Sequence, residues 1–213
     1  MKIKLQLALD VIDLKKAIAL LNELQGLIDI VEVGTPMIVK DGIKPIQVLR
    51  QYFPEMIILA DVKIADGAKI EAQYVFEAGA DIVTVLAMAE LQTIINTVAT
   101  AKGFNKKTLV DLIGVKDIPN RIMELEKIAI DYLCIHNAFD VQGAGNDPLA
   151  DLLVLKQQVK HTKIAVAGGI TLANLSAIVK VKPDIIIIGG AITNSLNPKA
   201  TTLAIRQLID KEG

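Results

Sequence analysis

Short runs of branched apolar residues recur along the chain at a spacing of about 25 residues, each about four to eight residues long. They fall at Leu5–Leu9, Ile28–Val33, Met56–Val62, Asp81–Val85, Thr108–Ile113, Tyr132–Ile135, Lys163–Ala167 and Asp184–Ile188. Near-continuous apolar runs mark strands covered on both faces, as in a parallel sheet sheathed by helices. Longer amphipathic stretches lie between them. Asp13 can cap a helix over Leu14–Gln25, Asp66 opens a stretch to Ala78, and Asp117, with Pro119 close behind, opens one to Ala129. Gly26, the Gly79-Ala80-Asp81 step and Gly103 stand where helices should stop. Eight β units, each followed by an α unit, predict an α/β fold closed into a (β/α)8 TIM barrel, a single catalytic domain over 1–213. An open doubly wound sheet is the alternative.

Composition narrows this picture. The 213 residues are 52% hydrophobic and only 3% aromatic, with no Trp, so Ile, Val, Leu and Ala must fill the core. A chain of this size buries roughly 70% of its unfolded surface, enough to fold without staples. With 23 Lys+Arg against 24 Asp+Glu the net charge is −1, which removes the field a general nucleic-acid binder needs. No apolar run is long enough to span a membrane, and the start, Met1-Lys2-Ile3-Lys4-Leu5-Gln6, meets Asp10 too soon for a signal peptide. The lone Cys134 can form no intramolecular disulfide, which suits a reducing compartment. These features place the protein in the cytoplasm.

In such barrels, polar residues at the C-terminal ends of strands face a common mouth. Asp10, Glu32, Asp61 with Lys63, Asp111 and His136 all fall at such positions, on five different strands. Asp61 and Lys63 are two apart, so on an extended chain both project to one face. Any one of them reads equally well as a solvated strand end whose charges pair; the group together points to a site. Glu32 and Asp61 on neighbouring strands can share a divalent cation, and few hard oxygen ligands suit Mg²⁺. The plainer reading pairs a carboxylate with Lys63. His136 suits acid/base work, whereas His161 reads as a surface residue and Cys134 as inert core. The pairs Gly168-Gly169 and Gly189-Gly190, after strands seven and eight, can cradle a phosphate through bare backbone N–H groups.

The stretch Asp61-Val62-Lys63-Ile64-Ala65-Asp66 resembles the Asp-x-Lys-x-x-Asp motif of the orotidine-phosphate decarboxylase superfamily. Within it, the chain resembles the 3-hexulose-6-phosphate synthase family. The likeness runs from Leu5-Gln6-Leu7-Ala8-Leu9-Asp10 through Val31-Glu32-Val33-Gly34-Thr35-Pro36, Leu59-Ala60-Asp61, Val110-Asp111-Leu112-Ile113-Gly114-Val115 and His136 to Val166-Ala167-Gly168-Gly169-Ile170. The resemblance implies a reversible, Mg²⁺-dependent aldol addition of formaldehyde to D-ribulose 5-phosphate, in formaldehyde fixation or detoxification. By matching position, Glu32 and Asp61 hold the metal, His136 moves the C1 proton, and Lys63 offsets developing charge. Asp10 and Asp111 orient sugar hydroxyls, and Gly169, Gly190 and Ala191 hold the phosphate. The resemblance further implies a homodimer in which Asp66 reaches the partner's site.

The motif alone does not separate this family from its nearest relatives; other positions do. 3-Keto-L-gulonate 6-phosphate decarboxylases share the metal and lysine positions. They carry arginine where this chain has Phe139 and Ala191, and usually glutamate in place of Asp111. A non-catalytic phosphosugar-binding barrel has no need of Lys63 and His136. A ribulose-phosphate epimerase uses more histidines for metal than the 2 present.

Overall fold

The computed structural model of the protein describes residues 2–138, 140 and 148–213; Phe139 lies outside them. Eight parallel strands close into a barrel in sequence order: β1 (Lys4–Leu9), β2 (Ile30–Val33), β3 (Ile57–Ile64), β4 (Ile82–Leu86), β5 (Lys107–Asp111), β6 (Tyr132–His136), β7 (Lys163–Ala167) and β8 (Ile185–Ile188). Pairing of β1 with β8 closes the ring and removes the open-sheet alternative. The helices are α1 (Leu14–Glu23), α2 (Thr35–Asp41), α3 (Lys44–Tyr52), α4 (Ala68–Glu77), α5 (Leu91–Gly103), α6 (Ile118–Leu125), α7 (Pro148–Gln158), α8 (Leu172–Lys180), α9 (Gly190–Thr193) and α10 (Pro198–Glu212). Two βα units therefore carry an additional helix: α2 and α3 both follow β2, and the short α9 precedes α10.

The strands sort their residues by parity. Ala8, Ile30, Leu59, Ile82, Leu109, Tyr132, Cys134, Ala165, Ala167, Ile185 and Ile187 form one buried cluster, the barrel interior. Their strand neighbours, among them Leu7, Leu9, Val31, Ile58, Ala60, Val83, Val85, Val110, Leu133 and Ile186, pack outward against Ala17, Leu21, Leu49, Ala72, Ile94 and Ile178 of the helices. At the N-terminal end the interior is plugged by Tyr132, with the Lys107 and Lys163 ammonium groups 5.6 and 5.9 Å from its ring centre.

That end is stitched by a repeated device. Asp29, Asp81, Asp131 and Asp184 each precede an even-numbered strand, and each accepts a backbone N–H from the preceding odd strand: Leu5, Ile58, Thr108 and Ile164, at 2.8–3.0 Å. Asp81 and Asp184, expected within strands, thus stand just before them. Arg206 of α10 ties to Asp29 at 2.8 Å and to the Ile3 carbonyl at 2.9 Å.

Asp13 and Asp117 cap α1 and α6 through Lys16 and Asn120 N–H groups, at 3.0 and 3.2 Å. The expected start of α4 moves. Gly67, with φ of 63°, occupies the cap position, and Asp66 instead accepts the Gly67 N–H at 2.7 Å. Gly26 and Gly79, at φ of 79° and 108°, turn the chain after α1 and α4. No helix among the described residues is long and apolar enough to cross a membrane.

Candidate active site

Continuing the inward parity of each strand by two residues reaches the C-terminal mouth. From Ala8 it gives Asp10, from Ile30 Glu32, from Leu59 Asp61, from Ile82 Thr84, from Leu109 Asp111, and from Cys134 His136. The same count reaches Gly169 on β7 and Gly189 on β8. One end of the barrel thus collects polar side chains from six strands and glycine turns from the other two, above an interior that is apolar but for Gln6.

Asp61 is the hub. Its Oδ1 accepts from the Thr84 hydroxyl at 2.9 Å; its Oδ2 accepts from the Thr35 hydroxyl at 2.9 Å and from the Lys63 ammonium. Lys63 also reaches the Thr35 oxygen at 3.2 Å and lies 4.0 Å from Asp111 Oδ2. The two-apart spacing was expected to align Asp61 and Lys63 on an extended strand. They meet, but by another route. The β3–β4 register shifts between Ala60 and Ile64, and Lys63 takes a left-handed φ of 51°. The Thr84 hydroxyl holds that bulge by accepting the Lys63 N–H at 2.8 Å while donating to Asp61. Burial alone would depress the Lys63 ammonium; the charge and hydrogen bond of Asp61, with Asp111 and Glu32 behind, hold it above its ordinary value.

Glu32 is buried and its Oε2 accepts the Gln6 side-chain N–H at 2.6 Å. Burial, then the Asp61 charge, pushes its carboxyl well above the usual carboxylate range. Asp10 moves the same way, by burial first and Asp61 second. The Asp111 carboxylate is turned inward. Its Oδ2 contacts His136 Nδ1 at 2.8 Å and its Oδ1 accepts the Ile113 N–H at 2.9 Å. Cys134 is buried beneath His136, and burial followed by the Asp111 and Glu32 charges pushes its thiol far up, so it stays a thiol. His161 is exposed, remote from this group, and its backbone N–H meets Glu126.

The glycine turns border the same mouth. Gly168 and Gly169 have φ of 91° and 68°, and a side chain at Gly168 would come within 2.2 Å of the Asn137 carbonyl. A side chain at Gly189 would stand 3.3 Å from Asp10 Oδ2, so the β8 turn lies against the acidic end of β1. Asn174 of α8 donates to the Gly169 carbonyl at 3.0 Å and accepts the Thr171 N–H at 2.8 Å, fixing the first turn. Gly190 and Ala191 open α9. Asp66, beyond the bulge, is exposed and stands apart from the cluster.

The donor set fits a hard divalent cation. Glu32 and Asp61 are neighbouring carboxylates, each tied by hydrogen bonds, and the Gln6 carbonyl beside Glu32 is buried without a partner among the described residues. No group of three or more His, Cys, Asp or Glu side chains among those residues is arranged around a metal. Two carboxylates with the rest of the shell left to substrate and water is the habit of Mg²⁺.

The chain also has close counterparts among known proteins. Residues 3–205 match the model of a family described as orotidine 5'-phosphate decarboxylase / HUMPS. The 3-hexulose-6-phosphate synthase of Bacillus subtilis is 41% identical over 206 residues, 97% of this chain and 98% of that protein. The 1.65 Å crystal structure of 3-hexulose-6-phosphate synthase from Salmonella typhimurium superposes with a TM-score of 0.96 at 37% identity, covering 99% of this chain and 100% of the other. A KGPDC structure from Streptococcus mutans follows at a TM-score of 0.91 and 27% identity, covering 99% and 98%.

Proposed function

Because this chain belongs to the orotidine 5'-phosphate decarboxylase / HUMPS family, we propose that it is an aldolase of the 3-hexulose-6-phosphate synthase type, adding formaldehyde to D-ribulose 5-phosphate. The observation that carries this reading is the convergence of Glu32, Asp61, Lys63 and the His136–Asp111 pair at one barrel mouth, beside two glycine turns.

The phosphate rests on the backbone of Gly169, Gly190 and Ala191, where two glycines and a methyl side chain leave room for close approach. Asp10 hydrogen-bonds the sugar hydroxyls. With Nδ1 of His136 held by Asp111, Nε2 is the nitrogen that takes the C1 proton of the ketose. The electron pair left behind spreads over C1, C2 and the carbonyl oxygen. The Lys63 ammonium, anchored by Asp61, donates to the oxygens that gain charge. C1 then bonds to the formaldehyde carbon, and the proton on His136 returns to the former formaldehyde oxygen. Nothing is lost, so the reaction is an addition and is reversible. Glu32 and Asp61 would hold one Mg²⁺, which when bound supplies a Lewis acid for the carbonyl and hydroxyl oxygens.

We place the working enzyme in the cytoplasm, where the unpaired Cys134 is stable, and as a homodimer. Ile70 and Tyr74, one turn apart on α4, are 60% and 57% exposed, an apolar face close in sequence to Asp66. Burying it against a second copy brings Asp66 toward that copy's mouth.

The test is a pair of assays on one preparation: formaldehyde-dependent consumption of ribulose 5-phosphate, and decarboxylation of 3-keto-L-gulonate 6-phosphate. The first is expected to dominate, since Ala191 stands where decarboxylases carry arginine. Faster decarboxylation would assign the chain to the other branch of the family.

A further inference from the structure

Gln6 is the one polar side chain projecting into the middle of the barrel on β1. Its register partners, Ile30 on β2 and Ile187 on β8, are both apolar. It is wholly buried, two residues below the level at which Ala8 faces Glu32. The small Ala8 side chain leaves room for a longer one beneath it to reach up. Gln6 uses that room: its Nε2 donates to Glu32 Oε2 at 2.6 Å, while its Oε1 is buried with no partner among the described residues. An amide in the core whose oxygen has no partner is costly, and Leu or Met would fill the space without that cost, though Glu32 would then lose its donor. Folding therefore does not explain the residue. Its one strong contact does.

Resting on the reading above, we propose that Gln6 is a positioning residue for the cation site: its amide pins one Glu32 oxygen so that the other is presented toward the metal. Thr84 and Thr35 do the corresponding task for Asp61 from β4 and α2. The two ligand carboxylates are thus each oriented by a neutral donor from another element, as outer partners orient metal ligands generally. Neutral donors hold the oxygens without competing for the cation as a second ammonium would.

The experiment measures Mg²⁺ binding by calorimetry and Mn²⁺ binding by electron paramagnetic resonance, on substrate-free protein, for wild type, Gln6→Met, Gln6→Asn and Glu32→Gln. The thermal midpoint of each is taken in chelator. Loss of the amide contact is expected to weaken cation binding about 10- to 100-fold in both Gln6 variants. The midpoints establish that each variant is folded at the temperature of the binding measurements, since Gln6→Met also takes from buried Glu32 its hydrogen-bond donor. Unchanged cation affinity in folded Gln6→Met and Gln6→Asn would overturn the inference. A wild-type chain that binds no cation, or Glu32→Gln binding as tightly as wild type, would overturn the metal reading itself and this inference with it.

Discussion

A histidine acts as a base only through the nitrogen that carries no proton, and the 2.8 Å contact between Asp111 Oδ2 and His136 Nδ1 selects that nitrogen. His136→Ala should lower turnover by about 10²- to 10⁴-fold, and Asp111→Asn by a large part of that. Deuterium exchange at C1 of ribulose 5-phosphate measures the step directly; an equal loss of substrate binding and exchange rate would contradict the assignment. Glu32 gives a pH signature. Burial and the Asp61 charge raise its carboxyl in the metal-free fold, so above the ordinary carboxylate range the folded state binds more protons than the unfolded one. Its contribution to stability therefore falls as pH rises through that range toward the raised value. Denaturation of the metal-free protein at about pH 5 and about pH 8 should show a drop in wild type that is smaller in Glu32→Gln. On the proposal that Glu32 holds the cation, protons would compete for this oxygen, so Mg²⁺ affinity should climb over the same interval.

At the scale of elements, strength and chemistry sit at opposite ends of the barrel. Asp81 collects Arg50 from α3, Lys106 before β5 at 2.6 Å, and the Ile58 N–H of β3 at 2.9 Å. Burial would raise its carboxyl, but these donors hold it below the usual range, so its contribution is present above the ordinary carboxylate pKa and fades as pH falls. Asp81→Ala leaves three donors without their acceptor and should cost about 1–3 kcal/mol in chemical denaturation, with turnover preserved in the molecules still folded. At the other end, Gly168→Ala places a methyl group 2.2 Å from the Asn137 carbonyl at a φ of 91°. It should lose about 1 kcal/mol or more of stability and weaken phosphosugar binding; a neutral effect would remove the close-approach argument. The barrel itself was legible because apolar runs at a regular spacing leave few other ways to bury both faces of each strand. The strand limits were less legible, since Asp81 and Asp184 sit beside apolar runs whose hydrogen bonds they cap rather than join. The charged site residues stood out at strand ends. Gln6, Thr35 and Thr84 did not, because one amide or hydroxyl in or beside an apolar strand looks ordinary until inward parity is counted from Ala8 and Ile82. The bulge at Lys63 left no signal in its neighbours.

For the whole molecule, we propose that a second copy completes the mouth of the closed ring. If Asp66 serves the partner's site while Lys63 serves its own, neither variant homodimer works, yet a mixed dimer holds one intact site. Subunit exchange between Lys63→Ala and Asp66→Ala should restore roughly a quarter of wild-type activity, and no recovery would contradict shared sites. We propose that two carboxylates, Glu32 and Asp61, hold a cation that the aldol addition requires. The direct measurement is formaldehyde-dependent loss of ribulose 5-phosphate after exhaustive chelation and again after Mg²⁺ is restored, in wild type and in Glu32→Gln. Activity should vanish and return in wild type and stay absent in Glu32→Gln. Undiminished turnover in the chelated protein and in the variant alike would contradict it.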